Sequence, residues 1–190
     1  MSKILVDTID TRSGTTTLTL GSSNAGTIAL GSGDVQSNFL YPAFEAYASA
    51  SQTVTSNTTT KAQINTELFD TDGCYDNSTN YRFTPTVAGK YFVYGSIQGE
   101  TDASQMQFMQ VYIYKNGSSY NQRIIDFRNN NGLQAGVSTS AIIDMNGSSD
   151  YVELYGKVLY GGGSAPKFQY GSSDEKMMQF GAYRVGTWAH

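Results

Sequence analysis

The run Tyr91-Phe92-Val93-Tyr94 constrains this chain more than any other stretch. Its residue types suit a pleated strand. Successive side chains on a strand point to opposite faces, so Tyr91 and Val93 share one side and Phe92 and Tyr94 the other. Both sides are apolar. One face can fill a core; the second also needs cover, from more chain or from a partner subunit. Upstream, Tyr81-Arg82-Phe83 is separated from this run by Pro85-Thr86-Val87-Ala88-Gly89. Pro fixes φ and Gly frees it, so the segment predicts a tight reversal between two strands.

The same two-sided pattern recurs. Met106–Lys115 sets Met109, Val111 and Ile113 against Phe108, Tyr112 and Tyr114. Tyr151–Tyr160 sets Val152, Leu154 and Gly156 against Tyr151, Glu153 and Tyr155. No helical 3.6-residue pattern persists, and short β-rich runs are punctuated by Gly and Asn, which argues an all-β fold. Further strands are expected at Tyr120–Phe127 and Met178–Val185, with a short edge strand near Val54 inside the polar stretch Ala48–Thr60. Lys61–Phe69 places Ile64, Leu68 and Phe69 for burial. Arg128–Gly136 and Gly161–Ser164 read as loops. Trp188 is expected to pack on a neighbouring chain or beside the exit of a stalk.

With 190 residues the chain predicts one domain carrying a small appendage, long enough to bury a real core. The boundary falls near residue 36. Residues 1–36 lack aromatics and contain a ten-residue echo: Thr17-Leu18-Thr19-Leu20-Gly21-Ser22 returns as Thr27-Ile28-Ala29-Leu30-Gly31-Ser32. Leu18 with Leu20, and Ile28 with Leu30, each share a face. Strands this thin cannot bury that face alone, and two repeats are too few for a solenoid. Three intertwined chains would bury it. The segment therefore reads as a stalk or anchor, carried by Ile4, Val6, Leu18, Leu20, Ile28 and Leu30, with a flexible linker as the alternative. Residues 37–190 form the second domain.

Several function classes are disfavoured. Twelve basic against sixteen acidic residues give a net charge of −4, which does not support nucleic-acid binding. Cys74 is alone, so it offers neither an intrachain disulfide nor a cysteine metal site. The sole histidine is His190, which argues against a His triad or general base. No apolar run approaches the ~20 residues that span a bilayer, and the apolar run near Met1 is too short for a signal peptide. Asp70, Asp72 and Asp76 have the density of a calcium loop without its terminal Glu, so calcium and a plain turn both stay open. Four Asn-x-Ser/Thr sequons, beginning at Asn57, Asn77, Asn116 and Asn146, read as turns. Asp174 and Glu175 lack a spaced second carboxylate for glycoside hydrolysis. The expectation is no enzyme and no cofactor. Tyr120, Arg123 and Arg128, followed by Asn129–Asn131, are candidates for a partner-contact surface, weighed against an ordinary exposed loop.

The ordered motifs resemble a known family. An aromatic strand, a Pro turn and Gly89-Lys90-Tyr91-Phe92 resemble the globular head of the first complement component and its tumour-necrosis-factor relatives. Pro42–Tyr47, Gly73-Cys74-Tyr75-Asp76, Lys115-Asn116-Gly117, Ser138–Leu154 and Phe180–Val185 resemble further family segments in the family's order, over roughly residues 42–186. The turn Asn146–Asp150 departs from the family's usual Gly-Asp. The resemblance implies a jelly-roll sandwich assembling as a homotrimer, with Tyr91, Tyr94, Tyr112, Tyr114, Tyr151 and Tyr155 at the interface. Lys3–Ile9 followed by Gly14–Leu18 resembles the amino-terminal ends of tailed-bacteriophage fibre and surface proteins. Together they imply a structural protein of a virion, assembled in a host cytoplasm. Residues 1–36 would bind another virion protein, and the head would meet a host glycan or protein. A capsid-decoration role is the alternative, and a secreted cytokine-like or lectin-like ligand is a second.

Overall fold

The computed structural model describes residues 41–172 and 174–186. Among them are thirteen strands and no helix. In order they are β1 (Ala43–Tyr47), β2 (Gln52–Thr53), β3 (Thr60–Lys61), β4 (Thr66–Asp70), β5 (Tyr75–Asp76), β6 (Arg82–Phe83), β7 (Gly89–Glu100), β8 (Met106–Lys115), β9 (Ser118–Asp126), β10 (Gln134–Met145), β11 (Val152–Tyr160), β12 (Lys167–Phe168) and β13 (Met178–Gly186). They form two antiparallel sheets. The first runs β10-β7-β13-β1-β4, with β12 and β2 along the far end of β7. The second runs β5-β6-β11-β8-β9, with β3 also paired to β11. The expected all-β jelly-roll sandwich is the observed fold.

β7 shows how the sequence dictates the layers. Burial alternates along all twelve of its residues, so Tyr91, Val93 and Ile97 enter the core and Phe92 and Tyr94 face outward. Phe44 is the centre of the core. It stacks on Tyr75 at 4.3 Å between ring centroids and on Phe83 at 4.7 Å, with Phe180 edge-on at 5.2 Å. Offset and edge-on aromatic pairs of this kind add about 1 kcal/mol each beyond the area they bury. The Tyr75 hydroxyl, carried into this core, donates to the Ile64 carbonyl at 2.8 Å. At the other end Phe168 plugs the core. Its ring lies where a side chain on Gly156 would project, 2.5 Å from that position, so β11 needs glycine there.

Three local expectations are corrected. Leu68 and Phe69, assigned to burial, are 49% and 47% exposed, because β4 is an edge strand and it is Ala62 and Ile64 before it that reach the core. The expected loop Arg128–Gly136 is strand from Gln134 onward, paired with Glu100 of β7. β12 was not anticipated; its single core residue, Phe168, has too little flanking pattern to mark a strand.

The described chain enters and leaves at one end of the sandwich, since Ala43 pairs with Tyr183 and Gly186 with Lys90. The segments 101–105, 127–133 and 161–172 lie at the opposite end. Residues 1–36, including Ile4, Val6, Leu18, Leu20, Ile28 and Leu30, and also Trp188, lie outside the described residues.

Candidate functional site: the two outer faces

A sandwich has two outer faces, and these two differ in chemistry. On the first sheet, Ile142 of β10, Phe92 of β7 and Tyr183 of β13 form one cross-strand row. Ile142 is 58% exposed, and Tyr183 and Val185 are 37% and 43% exposed. Phe92 packs against Tyr183 at 5.5 Å and Tyr94 at 5.9 Å. In the next row the Tyr94 ring lies flat over Gly181, where any side chain would displace it. Its hydroxyl donates to Glu45 at 2.9 Å. Burial, then the Glu45 carboxylate, pushes the Tyr94 phenol well above its ordinary pKa. Beside this row is a cavity of about 440 Å³ lined by Phe92, Tyr94, Ser96, Ser138, Ser140 and Gln179, with Arg123 of β9 also at its wall.

The second sheet covers its own outer face. Tyr114 and Tyr155 stack at 4.2 Å, with Tyr112 edge-on to Tyr114 at 6.0 Å. Glu153, outward on β11 yet only 4% exposed, pairs with Lys61 of β3 at 2.5 Å. Lys61 also donates to the Asn80 carbonyl and lies over the Tyr155 ring. Burial and then Glu153 push the Tyr155 phenol up to about 12. Arg82 stacks on Tyr151 at 4.6 Å and Lys157 on Phe108 at 5.6 Å.

The expected six-tyrosine surface is therefore divided. Tyr91 is 0% exposed in the core, its hydroxyl donating to the Val87 carbonyl at 2.7 Å, and so is not available to a partner. Tyr94 lies on the first face; Tyr112, Tyr114, Tyr151 and Tyr155 belong to the second. Period two already separates Tyr91 from Tyr94 on one strand. The residues missed on the first face are Ile142, Tyr183 and Val185; Phe92 was placed on the face of Tyr94 by strand parity. Ile142 was hidden in the pair Ile142-Ile143, where only the pairing with β7 reveals which isoleucine enters the core.

Tyr120, Arg123 and Arg128 do not converge. The Tyr120 hydroxyl donates to the Ile142 carbonyl at 3.3 Å, near the chain-entry end. Arg123 reaches the first sheet's cavity. Arg128, at the other end, is held by the Asp126 carboxylate through two guanidinium nitrogens, and that contact lowers the Asp126 carboxyl to about 2. Asp76 accepts from the Ser78, Thr79 and Asn80 amides, and Asp70 from those of Asp72 and Tyr75. Among the described residues no group of three or more His, Cys, Asp or Glu is placed to hold a metal ion. Cys74 is buried and reduced, within 3.9 Å of the Thr86 hydroxyl, and burial raises its thiol pKa.

No protein-family model matches the chain, and no curated protein sequence matches it. Solved structures do. The globular domain of zebrafish complement 1qA protein superposes with a TM-score of 0.51 and 15% identity, over 77% of this chain and 98% of that one. Murine APRIL superposes with a TM-score of 0.53 and 7% identity, over 75% of this chain and 98% of that one. At these identities the likeness is one of fold. The chain has the jelly-roll architecture common to the complement head and APRIL.

Proposed function

We propose that the chain is a non-enzymatic, homotrimeric surface protein of a tailed-phage particle, attached through residues 1–36 and presenting its head to the host. The observation that carries self-association is the exposed apolar row on the first sheet: Ile142, Phe92 and Tyr183, continued by Val185. Each large apolar side chain buried there stabilises association by about 1.5–3 kcal/mol. The edge strand β9 lies beside it, tied to β10 through Tyr120 and Asn121, with Ile125 also exposed. The complement-head fold supports the same reading. Displaying the head outward agrees with chain entry at one end and long connecting segments at the other.

The test is native mass spectrometry of the full-length chain, followed by binding to host cells and to empty capsids. Three times the 20.6 kDa chain mass is expected, with retention on cells. A monodisperse monomer overturns the trimer. Binding to capsids and not to cells replaces the adhesin role with decoration.

A further inference from the structure

The second sheet shows what an outward glutamate beside a tyrosine hydroxyl requires once it is covered. Glu153 is 4% exposed, accepts from Tyr155 and is held by Lys61, which β3 brings across. Glu45 on the first sheet has the tyrosine and lacks the cation. The Tyr94 hydroxyl donates to it at 2.9 Å, and it makes no ion pair among the described residues. Its cross-strand neighbour on β4 is the exposed Phe69, on the face that carries the apolar row. A second copy laid on that row also covers Glu45, and an unpaired carboxylate is costly to take out of water. The covering copy must therefore supply a cation. Among the described residues the choice is narrow. Lys61, Lys90, Lys115 and Arg128 are already ion-paired. Arg82 and Lys157 lie over rings of the other sheet, and Lys176 over Tyr47 without pairing with Glu45. Lys167 is near Asp102 at the far end, and Arg184 has its Nε buried beside Gly89. Arg123 remains. It is exposed on β9, donates only to the Asn121 side chain and the Gln122 carbonyl of its own strand, and reaches the cavity beside Phe92 and Tyr94.

We propose that the copies associate head to tail, with Arg123 of each closing on Glu45 of the next. A ring of three joins two different patches, one from each neighbour. The first sheet offers two that match. Its β10 side carries the apolar Ile142 and, at the rim, the Arg123 cation; its β1–β4 side carries the apolar Phe69 and the Glu45 anion. Within one chain the order β10-β7-β13-β1 keeps the patches three strand spacings apart, about 14 Å. Each charge is thus left for a neighbour. A guanidinium suits the task, because it makes two parallel hydrogen bonds with a carboxylate that also accepts from a tyrosine hydroxyl. The partner's arginine then does on the first face what Lys61 does on the second. This pairing rests on the self-association proposed above, and its test separates the two.

The experiment is a charge swap, read as native mass over a dilution series of the full-length chain. Arg123→Glu and Glu45→Arg should each raise the concentration at which the trimer half-dissociates by at least about tenfold, because like charges then face one another. The double variant restores the pair with its charges exchanged and should recover most of that loss. Circular dichroism checks the fold of each. If Glu45→Arg does not fold, Glu45→Gln, which can still accept from Tyr94, is combined with Arg123→Gln. Each should weaken assembly, and the two together no more than either alone. A trimer indifferent to both single changes, a swap without recovery, or additive losses in the Gln pair overturns the ion pair and leaves self-association standing. A monomeric unsubstituted chain overturns self-association, and the pair with it.

Discussion

The two outer faces start from similar residues and end differently. Each pairs a tyrosine hydroxyl with an outward glutamate: Tyr94 with Glu45 on the first sheet, Tyr155 with Glu153 on the second. On the second, Lys61 from β3 crosses to the glutamate and the neighbouring rings stack on one another, so the face is closed by its own chain. On the first, no short strand crosses the row, and Ile142 remains 58% exposed. Covering a face therefore depends less on how aromatic its strands are than on whether a short flanking strand delivers a cation and a rim. Where that strand is missing, a second copy is the natural cover.

The largest effect expected from this contrast comes from Ile142→Glu. The residue touches solvent in the single chain, so the fold should survive, while native mass should drop from three chains to one. A trimer that persists would move the interface to the other face. Next is Lys61→Met. It strands Glu153 in a nearly closed site, and removing one partner of a buried pair costs 3–5 kcal/mol. Because Lys61 keeps 30% of its side chain in water, about 2 kcal/mol is expected in urea unfolding, with native mass unchanged.

A smaller effect is pH-dependent. Tyr155 holds its proton to about pH 12 when folded, against about 10 in the unfolded chain. Below the unfolded value the two states bind the same proton and stability is unaffected. Between the two values only the unfolded chain has released it, so stability falls as pH rises through that window. Ultraviolet titration of tyrosinate in Tyr155→Phe should lose one late-ionising group, and the alkaline fall in stability should soften. Smallest of all, Arg128→Ala should change neither native mass nor unfolding. Its contact with Asp126 is exposed, and pairs of that kind contribute little. A measurable loss of cell binding in that variant would restore the loop as a contact.

The class of fold was legible because alternation on β7, β8 and β11 survives in the sequence with few exceptions. Pro85–Gly89, expected as a tight reversal, carries the chain from β6 in one sheet to β7 in the other, whereas the Asn116-Gly117 turn between β8 and β9 was legible from its residue types. The turn carries φ of 51° and 76°, which Asn and Gly tolerate. What stayed hidden depends on pairing across the sheet. Leu68 and Phe69 look like core residues until β4 proves to be an edge. Ile142 and Ile143 are equivalent until their register with Phe92 and Tyr91 is known. The six tyrosines were grouped by type, whereas strand parity already divided Tyr91 from Tyr94. Phe168 had no visible reason for burial until Gly156 opened a space for it.

The common end for chain entry and exit has a mechanical meaning. If a tether holds the amino-terminal side and a load pulls on the opposite end, tension runs lengthwise through β1. That strand is hydrogen-bonded on both sides, to β13 and to β4. Its bonds would then be strained together as shear, rather than parted one at a time as in a zipper. A head held this way resists drag best in the one direction that detachment would pull it.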